Sequence, residues 1–236
     1  MATEHKVAVV TGASQGLGAG IVNSFLTRNY KVVGTSRTIG ASDNPDYLTI
    51  PGDIGDPATG KKVIEAAIAR FGRVDTLVNN AGIFIARPFT EYTDKQLSDV
   101  LSTNLNGFFH ITQQAIAAML RQGNGHIVQI TTTLVEYANS KVPSVLASLS
   151  KGGLAAATRS LAIEYATRNI RVNAVAPGII KTPLHAPERY AAMAAFHPMN
   201  RMGEVEDIAQ AVMYLEDAKF VTGEILHVDG GQIAGR

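Results

Sequence analysis

The sequence predicts an α/β fold in which a parallel sheet of about seven strands carries helices on both faces. Two observations support this prediction. Short apolar runs alternate with amphipathic segments along the whole chain, and this order is typical of parallel strands joined by right-handed helical crossovers. A glycine-rich turn follows the first apolar run directly, as it does where a strand leads into a helix in doubly wound Rossmann-type domains.

The predicted strands are short runs rich in apolar and β-branched residues, and the predicted helices are longer segments with an apolar face. The strands are Val7–Val10, Lys31–Thr35, Tyr47–Ile50, Thr76–Val78, His126–Ile130, Arg171–Val175 and Glu224–Val228. The helices are Gly16–Thr27, Pro57–Arg70, Asp94–Arg121, Ala147–Thr167 and Val205–Leu215. No linker, repeat or low-complexity tract separates them, so residues 1–236 are expected to form one domain.

Composition narrows the class of protein. The chain has 236 residues, 46% of them hydrophobic and 17% charged, with a net charge of +1. This balance gives no electrostatic reason to expect nucleic acid or an anionic membrane as a partner. The absence of cysteine excludes disulfides and thiolate metal sites, and no metal is expected. Residues 1–6 lead directly into the first strand without a signal peptide, and no apolar run is long enough to cross a bilayer, so we expect a cytoplasmic protein.

The glycine-rich turn reads Thr11-Gly12-x-x-x-Gly16-x-Gly18. Glycine permits a tight turn and a close approach of the backbone to a pyrophosphate. The helix that follows offers free N–H groups and the positive end of its dipole. The spacing differs from the Gly-x-Gly-x-x-Gly of the commonest dinucleotide fold. It still predicts a nucleotide phosphate site.

The end of the second strand bears on which nucleotide is bound. An acidic residue there binds the ribose 2′-hydroxyl of NAD, and a basic residue suits the 2′-phosphate of NADP. This chain has Ser36 followed by Arg37. A guanidinium pairs with a phosphate in a bidentate fork, so NADP(H) is favoured, and NAD(H) remains an alternative.

Three further motifs extend this pattern: the Asn79–Gly82 run Asn-Asn-Ala-Gly, Asn104 within a long helix, and the run from Asn173 to Thr182. With the glycine-rich turn they resemble the short-chain dehydrogenase/reductase family, from Lys6 to about Gly231. The resemblance implies a Rossmann-type, NAD(P)H-dependent oxidoreductase of small molecules. It implies cofactor contacts at Gly12, Ser14, Gln15, Gly16, Leu17, Gly18, Ser36, Arg37, Asp53, Ile54, Asn80, Ala81, Gly82, Lys151, Pro177, Gly178, Ile180 and Thr182.

The family's chemistry uses a serine, a tyrosine, and a lysine four residues after that tyrosine. Tyr137 and Lys141 fit this spacing, but that register places Pro143 in the catalytic helix and lengthens the crossover by ten residues. Lys151 is therefore taken as the family's lysine. The tyrosine position is then Ala147, which has no proton to give, and Thr132 stands in the serine region. Asn104 matches a family asparagine whose backbone carbonyl, at a local distortion of the helix, holds a water of the proton relay.

Several replacements for the missing phenol stay open. Tyr137 lies in the loop that borders the substrate site in the family, and His185 and His197 lie in the segment that forms a lid in relatives. Reduction of an activated C=C bond needs least from the protein, because water can protonate the resulting enolate. The sequence thus supports either an oxidoreductase with an altered proton donor, acting on a carbonyl, C=C or imine, or a cofactor-binding protein with a binding or regulatory role.

The resemblance also concerns the substrate and the assembly. The lid from Leu184 to Met202 is rich in Ala, Met, His and Pro, which favours a fairly apolar substrate. Relatives are mostly tetramers that pair their long helices. A homotetramer is expected here, and small side chains of the Ala147–Thr167 helix would permit close packing between subunits. They are alanines 155, 156, 157, 162 and 166.

Overall fold

A computed structural model describes residues 5–235. It confirms the predicted class: seven parallel strands form one sheet in the order β3-β2-β1-β4-β5-β6-β7. The strands are β1 Val7–Thr11, β2 Lys31–Ser36, β3 Tyr47–Pro51, β4 Thr76–Asn79, β5 Gly125–Ile130, β6 Ile170–Pro177 and β7 Ile225–Val228. The chain order reverses between β1 and β4, and ligands of open parallel sheets bind outside the carboxyl ends of the strands at such a point.

Seven α-helices connect the strands. They are α1 Gly16–Thr27, α2 Pro57–Phe71, α3 Asp94–Leu101, α4 Gly107–Gln122, α5 Val145–Tyr165, α6 Tyr190–Ala194 and α7 Val205–Asp217. The short helix α6 was not predicted, because five residues are too few to show a helical period. No helix within residues 5–235 is long and apolar enough to cross a membrane. Residues 1–4, part of the stretch on which the prediction of no signal peptide rests, lie outside the described residues.

The prediction of one helix over Asp94–Arg121 was wrong in its continuity. A π-helical turn, Ser102–Asn106, separates α3 from α4. Such a turn makes i→i+5 bonds and is frequent at functional sites. The sequence around it has no proline, and its hydrophobic pattern continues across the turn, so periodicity alone does not reveal the break.

The two faces of the sheet bury separate apolar clusters. Alternate strand residues such as Val10 and Val32 pack with α1 and α7, whereas Val9 and Val33 pack with α2 and α4. Because successive side chains of a strand point to opposite faces, a strand covered on both sides is apolar throughout. This explains why the strands appear as continuous apolar runs rather than as alternating ones.

Two alanines of α5 correct the expectation about subunit packing. Ala155 is 4% exposed and Ala162 is 0% exposed, and both pack within this chain's own core. They are therefore not available to a partner subunit. Among the exposed residues of α4 and α5 are large apolar side chains: Phe109, Leu149 and Ile163 are 56%, 58% and 79% exposed.

A buried polar cluster lies at the amino ends of the strands, opposite the glycine-rich turn. The Glu216 carboxylate, 3% exposed, accepts hydrogen bonds from Thr76 Oγ1 at 2.9 Å and Tyr30 Oη at 3.1 Å, and lies 2.7 Å from His126 Nδ1. The Asn173 amide is fixed by Val221 and Glu224 of the backbone, so its Nδ2 faces His126 Nε2 at 3.2 Å. His126 Nε2 must then accept, and the imidazole is neutral with its proton on Nδ1.

Candidate active site

The glycine loop, Gly12–Gly18, connects β1 to α1. Gly12 and Gly16 have φ of +65° and +54°, a region that favours glycine. A Cβ on Gly18 would lie 2.1 Å from the Gly12 carbonyl oxygen, so no larger residue fits there. The loop therefore needs glycine for its backbone path at two positions and for close approach at the third, and it places the N-terminus of α1 at the carboxyl end of the sheet.

The end of β4 fixes this loop. Asn80 Nδ2 donates to the carbonyl oxygens of Thr11 and Gly12 at 2.9 and 3.2 Å. In return, Thr11 Oγ1 accepts from the backbone N–H groups of Asn80 and Ala81 at 3.0 and 2.9 Å, and donates to Val78 O at 3.4 Å. The sequence analysis assigned no role to Thr11. Its signal is a buried threonine between an apolar strand and the first glycine.

The carboxyl end of β2 fits the adenosine side of a phosphorylated dinucleotide. The hydroxyl of Ser36 is buried and has no hydrogen-bond partner in the described part of the chain. Arg37 is exposed, and no residue from 5 to 235 pairs with it in an ion pair or hydrogen bond. Beside them lies a recess of about 390 Å³, which is lined by Ser14, Thr38 and other residues, none of which carries a carboxylate. An unpaired guanidinium and free hydroxyls suit a phosphate.

Two further predicted residues border the same edge. Asp53 is exposed, and its Oδ1 accepts from Gly55 N at 2.9 Å, which fixes the turn after β3. Ile54 is 7% exposed and packs in the core beneath that turn. The carboxylate retains its second oxygen for a ligand.

The segment that follows β6 brings the remaining predicted cofactor residue, Thr182, to the glycine loop. A Cβ on Gly16 would lie 3.5 Å from the side chain of Thr182, so the threonine lies over the loop. Pro177 ends β6, and Ile180 forms a bridge with Gly203. Lys181 N donates to Gly203 O at 2.9 Å, and Gly203 N donates to Ile179 O at 3.0 Å. Both ends of the lid, residues 184–202, are therefore joined to each other.

Asn104 lies in the π-helical turn and is 1% exposed. Its Oδ1 accepts from Ile83 N at 2.9 Å, and its Nδ2 donates to Ile83 O at 3.1 Å and to Ser150 Oγ at 3.0 Å. The side chain thus joins the segment after β4 to α5. A helix distortion of the kind that the family resemblance implied is present at this residue.

Lys151 extends from α5 to the carboxyl end of β5. Its Nζ donates to Ile130 O at 2.6 Å, and a Cβ on Gly82 would lie 3.1 Å from that nitrogen. Burial lowers the pKa of Lys151 to about 8, and no charged neighbour contributes to the shift. The ammonium therefore lies among neutral groups and releases its proton more readily than an exposed lysine does.

The three consecutive threonines after β5 have different roles. Thr131 Oγ1 donates to Val175 O at 3.0 Å, and Thr133 Oγ1 donates to Gln232 Oε1 at 3.0 Å. Within residues 5–235, the one bond of Thr132 Oγ1 is accepted from Leu134 N at 3.3 Å. Its hydroxyl proton is therefore free for a ligand, and it is the half-buried member of the three.

The sequence analysis predicts that Ala147 stands at the position of the family's tyrosine. Ala147 is 4% exposed and lies on α5 one turn before Lys151, so the two residues share one face of the helix. Tyr137, the first candidate replacement, is half-buried in the turn after Thr133, to which its backbone N–H is bonded. The Tyr137 ring has no hydrogen bond among the described residues.

The two lid histidines are placed differently. His197 is 4% exposed, and its Nε2 accepts from Ile179 N at 2.9 Å. Burial lowers the pKa of His197, so it is a neutral residue that holds the lid to the end of β6. His185 is half-buried, and burial together with the charge of Arg189 lowers its pKa. Both imidazoles are therefore neutral near pH 7 and are poor proton donors there.

Comparison with known proteins agrees with this geometry. Residues 12–232 match the family model described as enoyl-(acyl carrier protein) reductase. The chain is 37% identical to the 3-oxoacyl-[acyl-carrier-protein] reductase FabG of Salmonella typhimurium, over 98% of both chains. Among solved structures it superposes on ElxO with NADP bound at a TM-score of 0.92, with 29% identity over 98% of this chain and 100% of that one.

A short-chain type dehydrogenase/reductase from Mycobacterium marinum superposes with a TM-score of 0.90 and 26% identity, over 98% of this chain and 96% of the other. The family model covers more than half of the chain, and the relatives align from end to end. The seven-stranded parallel sheet matches these structural neighbours. The chain belongs to the short-chain dehydrogenase/reductase family.

Proposed function

We propose that this protein is an NADP(H)-dependent oxidoreductase that transfers hydride to an activated C=C bond of a small, fairly apolar molecule, with carbonyl and imine acceptors as the wider class. One observation carries the choice of acceptor. The groups that would bind the cofactor and polarise the substrate oxygen are present. In the register that takes Lys151 as the family's lysine, the phenol that protonates a carbonyl oxygen is replaced by the buried methyl of Ala147. A missing general acid costs carbonyl reduction about 10²- to 10⁴-fold.

The choice of cofactor rests on the end of β2. Arg37 is exposed and unpaired within residues 5–235, and the neighbouring Ser36 hydroxyl is buried without a partner. The structural neighbour ElxO binds NADP, and a tyrosine-to-phenylalanine variant of it binds NADPH. The glycine loop would hold the pyrophosphate, and Asn80 and Thr182 would border it. When bound, NADPH supplies the hydride.

The protein's own groups have distinct tasks in this proposal. The free hydroxyl of Thr132 donates to the substrate oxygen, and the Lys151 ammonium stabilises the negative charge that develops there. Such preorganised donors act where charge forms in the transition state. Asn104 fixes the segment after β4 against α5, and thereby supports the helix that carries Lys151.

The relatives name two acyl substrates. FabG is described as a 3-oxoacyl reductase and the family model as an enoyl reductase. Reduction of a 3-oxoacyl group places a proton on the carbonyl oxygen, whereas reduction of an enoyl group places it on carbon after hydride has arrived. The second reaction does not need a phenol beside the oxygen, so an enoyl thioester is the acyl substrate that this site fits better.

The test is NADPH oxidation by the purified protein against enones, enoyl thioesters, 3-oxoacyl thioesters, simple ketones and imines, with Ala147→Tyr measured beside it. We expect turnover of enones or enoyl thioesters by the natural protein, and a gain of ketone reduction in Ala147→Tyr. If the natural protein binds NADPH but reduces nothing, while the variant reduces ketones, the proposal is wrong. Ala147 then favours the second candidate, a cofactor-binding protein with a regulatory role.

Two predictions about the whole protein remain with this proposal. Self-association as a homotetramer is supported by the exposed apolar residues Phe109, Leu149 and Ile163 on α4 and α5. Light scattering that gives the mass of a monomer would contradict it. The cytoplasmic location stays a prediction from the sequence.

A further inference from the structure

The proton that completes the reduction has no assigned source once the phenol is absent. The groups facing Lys151 Nζ from the neighbouring elements are the carbonyl of Ile130 at the end of β5, the backbone of Gly82 after β4, and Asn104 in the π-helical turn. All three are neutral. An ammonium has three N–H groups, and the described residues engage one of them, through Ile130. The other two are free to face a ligand.

Position 147 lies one helical turn before the lysine. Ala147 and Lys151 are four residues apart on α5 and lie on one face of the helix. The side chain of Ala147 ends at Cβ, so it offers the lysine no hydrogen bond and the substrate no proton. In the predicted register, Lys151 is consequently the charged group of α5 one turn from the position of the family's phenol.

The hydroxyls around this site already have acceptors. Ser148 Oγ donates to Leu134 O at 3.0 Å, and Ser150 Oγ donates to Leu146 O at 2.8 Å. Thr132 has a free hydroxyl, but an alcohol holds its proton too tightly to act as an acid near neutral pH. Lys151 therefore differs from its neighbours in having both a free N–H and a proton that it can release.

We propose that Lys151 is itself the proton donor of this enzyme. In this step hydride adds to the β-carbon of an enone or enoyl thioester and breaks the C=C π bond. The electron pair moves to the substrate oxygen as an enolate, beside Thr132. A proton then passes from Lys151 Nζ, through one water molecule, to the α-carbon. The resulting neutral amine regains a proton from solvent.

The titration of Lys151 suits this task. A general acid works best when its pKa lies near the working pH, and burial brings the pKa of Lys151 to about 8. An exposed lysine, with a pKa near 10.4, would release its proton far less readily. The inference rests on the proposed function, because it assumes an acceptor that receives hydride.

The first test does not depend on turnover. Pulse-labelling of the apoprotein with acetic anhydride from pH 6 to 11, followed by mass spectrometry of each lysine peptide, gives the pKa of every lysine. We expect half-maximal labelling of Lys151 near pH 8, well below the pKa near 10.4 of an ordinary exposed lysine. Half-maximal labelling of Lys151 above pH 10 would overturn the inference.

The second test separates binding from proton donation. Lys151→Arg keeps the positive charge but does not release a proton near neutral pH. We expect it to bind NADPH, as followed by fluorescence, and to reduce the enone about 10²-fold or more slowly, without the decline above pH 8 that the natural protein shows. Turnover of Lys151→Arg at the natural rate would overturn the proposal, as would loss of the decline in Tyr137→Phe instead.

A third variant covers the case in which arginine does not fit. Lys151→Ala should regain enone turnover when ethylammonium is added, with a rate that depends on the pKa of the added amine. Absence of rescue in a variant that still binds NADPH counts against proton donation by the lysine. If the natural protein turns over no acceptor at all, the proposed function has failed, and that outcome is distinct from retained turnover in the Lys151 variants.

Discussion

The bonds from Thr11 make a quantitative prediction about how the glycine loop is supported. Thr11→Val replaces a hydroxyl, 1% exposed as a residue, by a methyl group of nearly the same size. It leaves the backbone N–H of Ala81 without its acceptor and frees the carbonyl of Val78, while the backbone N–H of Asn80 keeps Val78 O as an acceptor at 3.2 Å. An unpaired buried donor costs about 1–3 kcal/mol. Ala81 is only partly buried, which places the cost near the lower part of that range.

The expected loss in free energy of unfolding is about 1–2 kcal/mol, which for a domain of this size lowers Tm by about 2–8 °C. Urea denaturation at fixed protein concentration measures the first quantity and calorimetry the second. Thr11→Ser keeps the oxygen and serves as the matched control, with a loss below about 1 kcal/mol. A loss of less than about 0.5 kcal/mol in Thr11→Val, the size of a neutral surface change, would refute the idea that this hydroxyl supports the loop.

Three other predictions concern the cofactor loop, the core and the pH dependence. Gly18→Ala should abolish NADPH binding in a fluorescence titration, because its Cβ would lie 2.1 Å from a carbonyl oxygen. Gly72→Ala, at the C-cap of α2 with nothing within 4 Å, should bind as before; equal binding by both would contradict the steric argument. Gln129, 0% exposed with both amide atoms unpaired among the described residues, should gain about 1–2 kcal/mol of stability on Gln129→Met, and a loss of stability would show that the amide has a partner. Burial lowers the pKa of His126, although its bond to Glu216 opposes this, so the unfolded chain binds a proton at a higher pH than the folded chain does. The free energy of unfolding should therefore fall as the pH drops below about 6.5, by up to about 1.4 kcal/mol per pH unit. An equally steep fall in His126→Gln would exclude this residue as the cause.

Much of the fold could be predicted because each strand is apolar on both faces and each helix has its own period. The bounds of β1 to β7 agree with the predicted runs to within about two residues, a normal scatter for element ends. What the pattern did not reveal are features set by hydrogen bonding. The π-helical turn at Ser102–Asn106 keeps the helical pattern of side chains while it changes which carbonyls are bonded.

The candidate site also contains features that the sequence pattern predicts and features that only hydrogen bonding determines. Motif spacing placed the glycine loop, Asn104 and Lys151, because glycines and a lysine one turn from a fixed position can be counted along the chain. It could not choose among Thr131, Thr132 and Thr133. Their roles depend on which acceptors β6 presents, and β6 lies more than forty residues away in sequence. The same is true of Thr11, whose partners come from the end of β4.

The arrangement of supports around the glycine loop bears on how such a protein can change over evolutionary time. The described bonds that fix the loop come from β1 and the end of β4, whereas position 147 and Lys151 belong to α5, which packs on β6. The bonds that hold the glycine loop and the helix that carries the proposed proton donor thus belong to different parts of the sheet. A substitution at position 147 of α5 therefore leaves the described supports of the glycine loop unchanged.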